Sequence, residues 1–185
     1  MKRVLLLASA MLAVGGGTAR GEDGYDLWLR YPRVTEPTLL AEYRAAATQI
    51  VVAGDSPTLA VARDELVRGL TGLLGAAPAV TGGVSMDGAI VVGTPRSSPL
   101  IRSLAAELRG LAPQGYVIRA TRVAGRSAIV VAANDEVGAL YGTFALLRRM
   151  QTHQSVRALA LRDAPKVAIR VLDHWDNLDG SVERG

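Results

Sequence analysis

The chain has 185 residues, 49% of them apolar and 21% charged, with a net charge of +4, no cysteine and two histidines. A chain of this length and composition buries roughly 70% of its extended surface on folding, which excludes a disordered tail. The missing cysteines exclude disulfides, thiolate metal sites and cysteine nucleophiles, and aromatics at only 4% argue against a stacking platform for single-stranded nucleic acid.

Residues 1–21 read as a secretory signal. Lys2 and Arg3 precede an apolar run from Val4 to Val14, and small residues lead to Ala19-Arg20-Gly21, with cleavage expected before Glu22. Eleven apolar residues are too few to span about 30 Å of hydrocarbon. Cleavage removes three cations and no acid, leaving the mature chain nearly neutral. Its remaining basic residues are scattered, so no stripe for nucleic acid is formed. Export to the periplasm or the medium is expected, with no membrane attachment after cleavage.

Alternation over Tyr25–Tyr31, ending at Pro32, predicts a strand. A short helix is expected over Thr38–Thr48 and a strand over Gln49–Val52. Ser56-Pro57 opens a helix with a capping serine and a first-turn proline; its stripe is Leu59, Ala62, Leu66, Leu70, Leu73 and Leu74, and Gly75 stops it. Ala89–Val92 is the next strand, followed by a helix near Leu100–Leu108. Gly115–Ala120 and Ser127–Ala132 form two strands joined across Ala124-Gly125-Arg126. The clearest helix follows, with Asn134 as its cap, Asp135 and Glu136 in its first turn, and a buried stripe of Val137, Leu140, Tyr141, Phe144, Leu147 and Met150. After Arg162–Pro165, a further strand is expected over Val167–Leu172. The mixed order indicates an α/β fold: a two-layer sandwich of a mixed sheet and covering helices over 22–162, with 163–185 beginning a second domain.

The chemistry-bearing residues crowd into Asp173–Gly185, which holds one of two tryptophans, one of two histidines and four carboxylates. One reading is a pocket for a polar ligand, with Trp175 packing against a sugar face and Asp173 and His174 beside it. The other is a solvated acidic turn whose tryptophan covers the core. The spacing of Asp173, Asp176 and Asp179 fits a calcium loop poorly, and sequence cannot show two carboxyls set across a glycosidic bond. His174 could serve as a base or as a hydrogen-bonded structural group. Phosphate-loop and nucleophile-elbow patterns are absent. No metal or cofactor is indicated.

Lys166–Leu172 followed by His174-Trp175-Asp176-Asn177-Leu178-Asp179-Gly180-Ser181-Val182-Glu183-Arg184-Gly185 resembles the start of the catalytic domain of the xylan α-glucuronidases, glycoside hydrolase family 67. Asn134–Arg148 is similar to that family's N-terminal domain, and Glu22–Tyr31 to its mature start. The resemblance implies an N-terminal α/β sandwich, a (β/α)₈ barrel whose first strand is Val167–Leu172, and a helical C-terminal domain that often supports homodimers. It further implies hydrolysis, with inversion and without a metal, of the α-1,2 bond between (4-O-methyl)glucuronic acid and xylose in xylooligosaccharides. The acid and base would lie beyond Gly185. Trp175, His174 and Asp173 would line the substrate site, although the family pattern has asparagine where Asp173 stands. On this reading the chain is a fragment and catalytically inert alone. A free-standing carbohydrate-binding or partner-docking domain, and an exo-glycosidase of another family, are the rival expectations.

Overall fold

The computed structural model describes residues 29–171. Among them a six-stranded sheet runs β2-β1-β3-β5-β4-β6, with α1 (Pro37–Ala46), β1 (Gln49–Val52), α2 (Pro57–Leu74), β2 (Ala79–Val80), β3 (Ala89–Gly93), α3 (Pro99–Arg102), β4 (Tyr116–Val123), β5 (Arg126–Ala133), α4 (Glu136–Gln151) and β6 (Ala160–Asp163) in chain order. β2, β1, β3 and β5 pair in parallel, while β4 lies antiparallel between β5 and β6. The expected mixed sheet with covering helices is present, but both of its faces are covered, so it is not the expected two-layer sandwich.

β3 is buried along its whole length, and β5 from Ala128 onward, because apolar layers cover both faces. On one face α1, α2 and α4 enclose Tyr43, Leu59, Leu66, Leu70, Ile90, Ile118, Val131, Leu146 and Leu147. On the other, α3 and the turns after it bring Ile101 and Leu108 against Val51, Val91, Val117 and Val130. Each fully buried leucine contributes about 1.5–3 kcal/mol relative to an exposed one.

α2 follows the sequence closely. Ser56 Oγ accepts from Leu59 N at 3.2 Å, the stripe from Leu59 to Leu74 is buried, and Gly75 ends the helix with φ +78°. The hairpin also forms, over longer strands, and turns through Ala124 and Gly125 with φ of +50° and +78°, as a two-residue turn between twisted strands requires.

Several expectations are corrected. Leu29–Tyr31 form no strand; Tyr31 instead lies flat on α2, its carbonyl oxygen only 2.4 Å from where a methyl on Gly72 would stand. The helix near Leu100–Leu108 ends at Arg102, after which the chain closes mostly three-residue turns, as in Ala105 N to Arg102 O and Glu107 N to Leu104 O. Asp135, not Asn134, caps α4, its carboxylate accepting from Gly138 N at 2.7 Å, while Asn134 Nδ2 donates to Leu108 O. The buried face of α4 is Gly138, Ala139, Gly142, Thr143, Leu146, Leu147 and Met150, so Val137 is left exposed. β2 and β6 are strands beyond those the sequence pattern predicts, and Val167–Val171 form no strand.

Candidate functional site

Asp173, His174 and Trp175, together with the signal-like segment 1–21, lie outside the described residues. The described residues instead build three polar regions.

The first ties the two ends of the domain together at α1. Glu42 is only 9% exposed. Its Oε1 accepts from Ser155 Oγ at 2.7 Å and from Val156 N at 2.6 Å, and its Oε2 lies 3.0 Å from Arg157 Nε. Burial pushes this carboxyl upward, but the hydrogen bonds and the guanidinium outweigh it and hold it below the ordinary glutamate range. Next to it Tyr43, fully buried, donates its hydroxyl to Gln154 O at 2.9 Å. Four donors and three acceptor atoms already satisfy one another here, which makes the cluster structural.

The second surface is a groove of about 760 Å³ along the outer side of α4. Tyr116, Tyr141, Phe144 and Leu161 supply its apolar lining, and Arg148, Arg149, Lys166 and Arg170 its cations, against one carboxylate, Asp163. Burial, with Asp163 close by, raises the Tyr116 phenol above its usual range. Its hydroxyl donates to Asp163 Oδ2 at 3.5 Å. Arg149 donates to Ser155 O at 2.8 Å and to Gln154 Oε1 at 2.9 Å, fixing the end of α4. Sequence reasoning missed this groove because its residues come from β4, α4, β6 and the segment after β6, which share no local pattern.

Where β1, β3 and β5 end, Asp55, Ser56, Thr94, Arg96, Ser97, Asn134 and Asp135 meet around a crevice of about 650 Å³. Several of its polar atoms are committed to the turns themselves: Thr94 N donates to Ser97 Oγ at 2.9 Å, and Asp135 Oδ2 accepts from Gln114 N at 2.8 Å. Among the described residues no group of three or more acidic or histidine side chains is placed to hold a metal. No helix among them is long and apolar enough to cross a membrane.

The sequence that builds this sheet and its helices, and the sequence that follows α4, both match one hydrolase family. Residues 27–146 match the profile described as "Glycosyl hydrolase family 67 N-terminus", and residues 149–185 match that family's middle domain. The chain belongs to glycosyl hydrolase family 67. Among its relatives, the "Probable alpha-glucuronidase A" of Neosartorya fischeri is 34% identical over 172 residues, covering 91% of this chain and 20% of the relative. The "Alpha-glucuronidase A" of Emericella nidulans is 31% identical over 194 residues, covering 99% and 22% respectively. This chain thus spans about a fifth of the length of the curated relatives it matches. A solved structure described as a family GH115 4-O-methyl-alpha-glucuronidase with specificity for decorated arabinogalactans superposes with a TM-score of 0.46 at 25% identity, over 56% of this chain and 13% of that one.

Proposed function

We propose that this chain is the N-terminal portion of an exported α-glucuronidase, working in the periplasm or the medium. The parent protein hydrolyses the α-1,2 bond between (4-O-methyl)glucuronic acid and xylose in xylan-derived oligosaccharides, with inversion. Family membership across the α/β domain and into the middle domain carries the reading. Relatives named as α-glucuronidases support the activity, and the charged, apolar and small-residue stretches of residues 1–21 support export.

The α/β domain is a scaffold in this reading, and the chain alone is inert. The acid and the base are supplied beyond Gly185, while Trp175, with Asp173 and His174, lines the uronic-acid site. In an inverting enzyme the two carboxyls stand about 6.5–9.5 Å apart, leaving room for the attacking water.

The test is expression of the complete reading frame and incubation with aldouronic acids, following the released sugar by proton NMR. Release of the uronic acid first as its β-anomer is the expected result. No release, or release as the α-anomer, overturns the proposal.

A further inference from the structure

Among the described residues, Asp87-Gly88 is the only aspartate followed directly by glycine, and it stands at the entrance to β3, the strand between β1 and β5. An aspartyl-glycine step is prone to attack on itself, because no side chain on the glycine hinders its nitrogen. The Gly88 nitrogen can close on the Asp87 carboxyl to give a five-membered succinimide. The N–Cγ bond forms, a Cγ–O bond breaks, and the carboxyl oxygen leaves as water with the amide and carboxyl protons. Water then reopens the ring. Attack at Cγ restores aspartate; attack at the main-chain carbonyl leaves isoaspartate, with one extra carbon in the backbone.

The fold requires this reactive pair. Gly88 has φ +84°, and a Cβ there would collide with the carbonyl oxygen of Ala45, so a side chain does not fit. Asp87 Oδ1 accepts from Ser127 N at 2.7 Å, and its Oδ2 lies 3.6 Å from Arg126 Nη1. The same contacts disarm the pair, since ring closure needs a neutral carboxyl and a free amide nitrogen. The hydrogen bond from Ser127, with Arg126 and Arg122 nearby, holds the Asp87 carboxyl below the ordinary aspartate range, so it stays ionised at neutral pH. Gly88 is buried, and its N–H donates to Ser127 O at 2.8 Å and to Ser127 Oγ at 3.2 Å. From β1's side, Thr48 Oγ1 donates to Asp87 O at 2.7 Å and Thr48 N to Gly88 O at 2.8 Å. Both peptide planes are thereby fixed.

We propose that Asp87-Gly88 is a latent isoaspartate site, kept unreactive by a clasp of Ser127 and Thr48 and converted only when that clasp opens. The extra carbon of isoaspartate would move Gly88 off both partners. β3 could then no longer set Ala89 against Gln49 and Ala128 together. Conversion therefore records an opening of the sheet and hinders its closing. Every residue involved lies in the α/β domain, so the inference does not depend on the hydrolase reading.

The test is prolonged incubation of the product of the complete reading frame at neutral pH, beside a synthetic peptide of residues 84–92. Peptide mapping by mass spectrometry follows the dehydrated and isoaspartyl forms at residue 87. Conversion in the folded protein is expected to be at least ~10-fold slower than in the peptide, because it proceeds through the locally open form. Thr48→Val and Ser127→Pro, each removing one side of the clasp, are expected to speed it. Thr48→Val is the milder change and decides the matter if Ser127→Pro does not fold. Asp135→Ala, which weakens the domain at the other end of the sheet, should leave the rate near that of the wild type. Equal rates in protein and peptide overturn the proposal, as does a Thr48→Val rate no faster than wild type. An Asp135→Ala rate matching that of Thr48→Val also overturns it, because the protection would then belong to the whole domain and not to the clasp.

Discussion

Gly142 in α4 presses directly onto Val131 in β5: a methyl on Gly142 would fall 2.5 Å from Val131 Cγ1 and 3.0 Å from Tyr116 Cβ. One turn earlier, a methyl on Gly138 would fall 2.3 Å from the carbonyl oxygen of Gly115. These two glycines bring the helix backbone down onto the sheet, while Leu146, Leu147 and Met150 fill the core toward the end of the helix. Gly142→Ala is accordingly expected to destabilise the domain by about 1–3 kcal/mol, the usual range for overpacking a filled core. Equilibrium urea unfolding would read it as a lowered midpoint with an unchanged slope, and an unaltered midpoint would contradict the contact.

The start of α4 separates two neighbouring residues. Asp135 accepts from Gly138 N and from Gln114 N, whereas Asn134 makes a single bond to Leu108 O. Asp135→Ala removes a cap and strips Gln114 N of its acceptor, for an expected loss of about 2 kcal/mol. Asn134→Ala should cost no more than about 1 kcal/mol. Comparing the two midpoints checks which residue caps the helix, and an equal loss would favour neither.

Acid should unfold the domain partly through Glu42. Its folded carboxyl is held below the ordinary value, so its contribution is present above about 4.3, the unfolded value, and is lost as pH falls through the lower folded value. Asp87, bonded by Ser127, and Glu36, capping α1, are lowered as well and act in the same direction. Glu42→Gln should therefore flatten the acid limb of a stability profile without abolishing it. The measurement is the denaturation midpoint as a function of pH for both proteins, and parallel profiles would refute the role.

Tyr43→Phe keeps the buried ring but leaves Gln154 O without its donor. A loss of about 1 kcal/mol is expected, with faster amide exchange concentrated at residues 152–156. A change spread evenly over the domain would mean that the hydroxyl does not anchor this turn.

The sequence carries the local elements well and the long-range ones poorly. α2 is legible because one residue type, leucine, marks its face at a constant spacing between a serine cap and a glycine stop. α4 has the same periodicity but a misleading one: Tyr141 and Phe144 are half-buried on the groove side, while the sheet contact is made by glycine and alanine, which hydropathy ignores. β2 is two exposed residues, recruited only because β1 offers Gln49 and Ile50 as partners. Val167–Val171 alternates as a strand would, yet a strand is defined by its neighbour, and none of the described residues pairs with it. For the candidate site, Trp175 stood out by composition, whereas the groove on α4 is a meeting of four separate segments that only folding brings together.

The bond from Val156 N to Glu42 spans 114 residues and that from the Tyr43 hydroxyl to Gln154 O spans 111. Such a closure gives the domain a high contact order. The first helix cannot find its final seat until the last quarter of the chain has arrived, and the three parallel pairings of the sheet impose the same delay. On a ribosome this is a domain that locks late. A chain halted before Gln154 would hold every leucine of α2 and still lack the stretch that fastens α1 in place, leaving it open to proteases during synthesis.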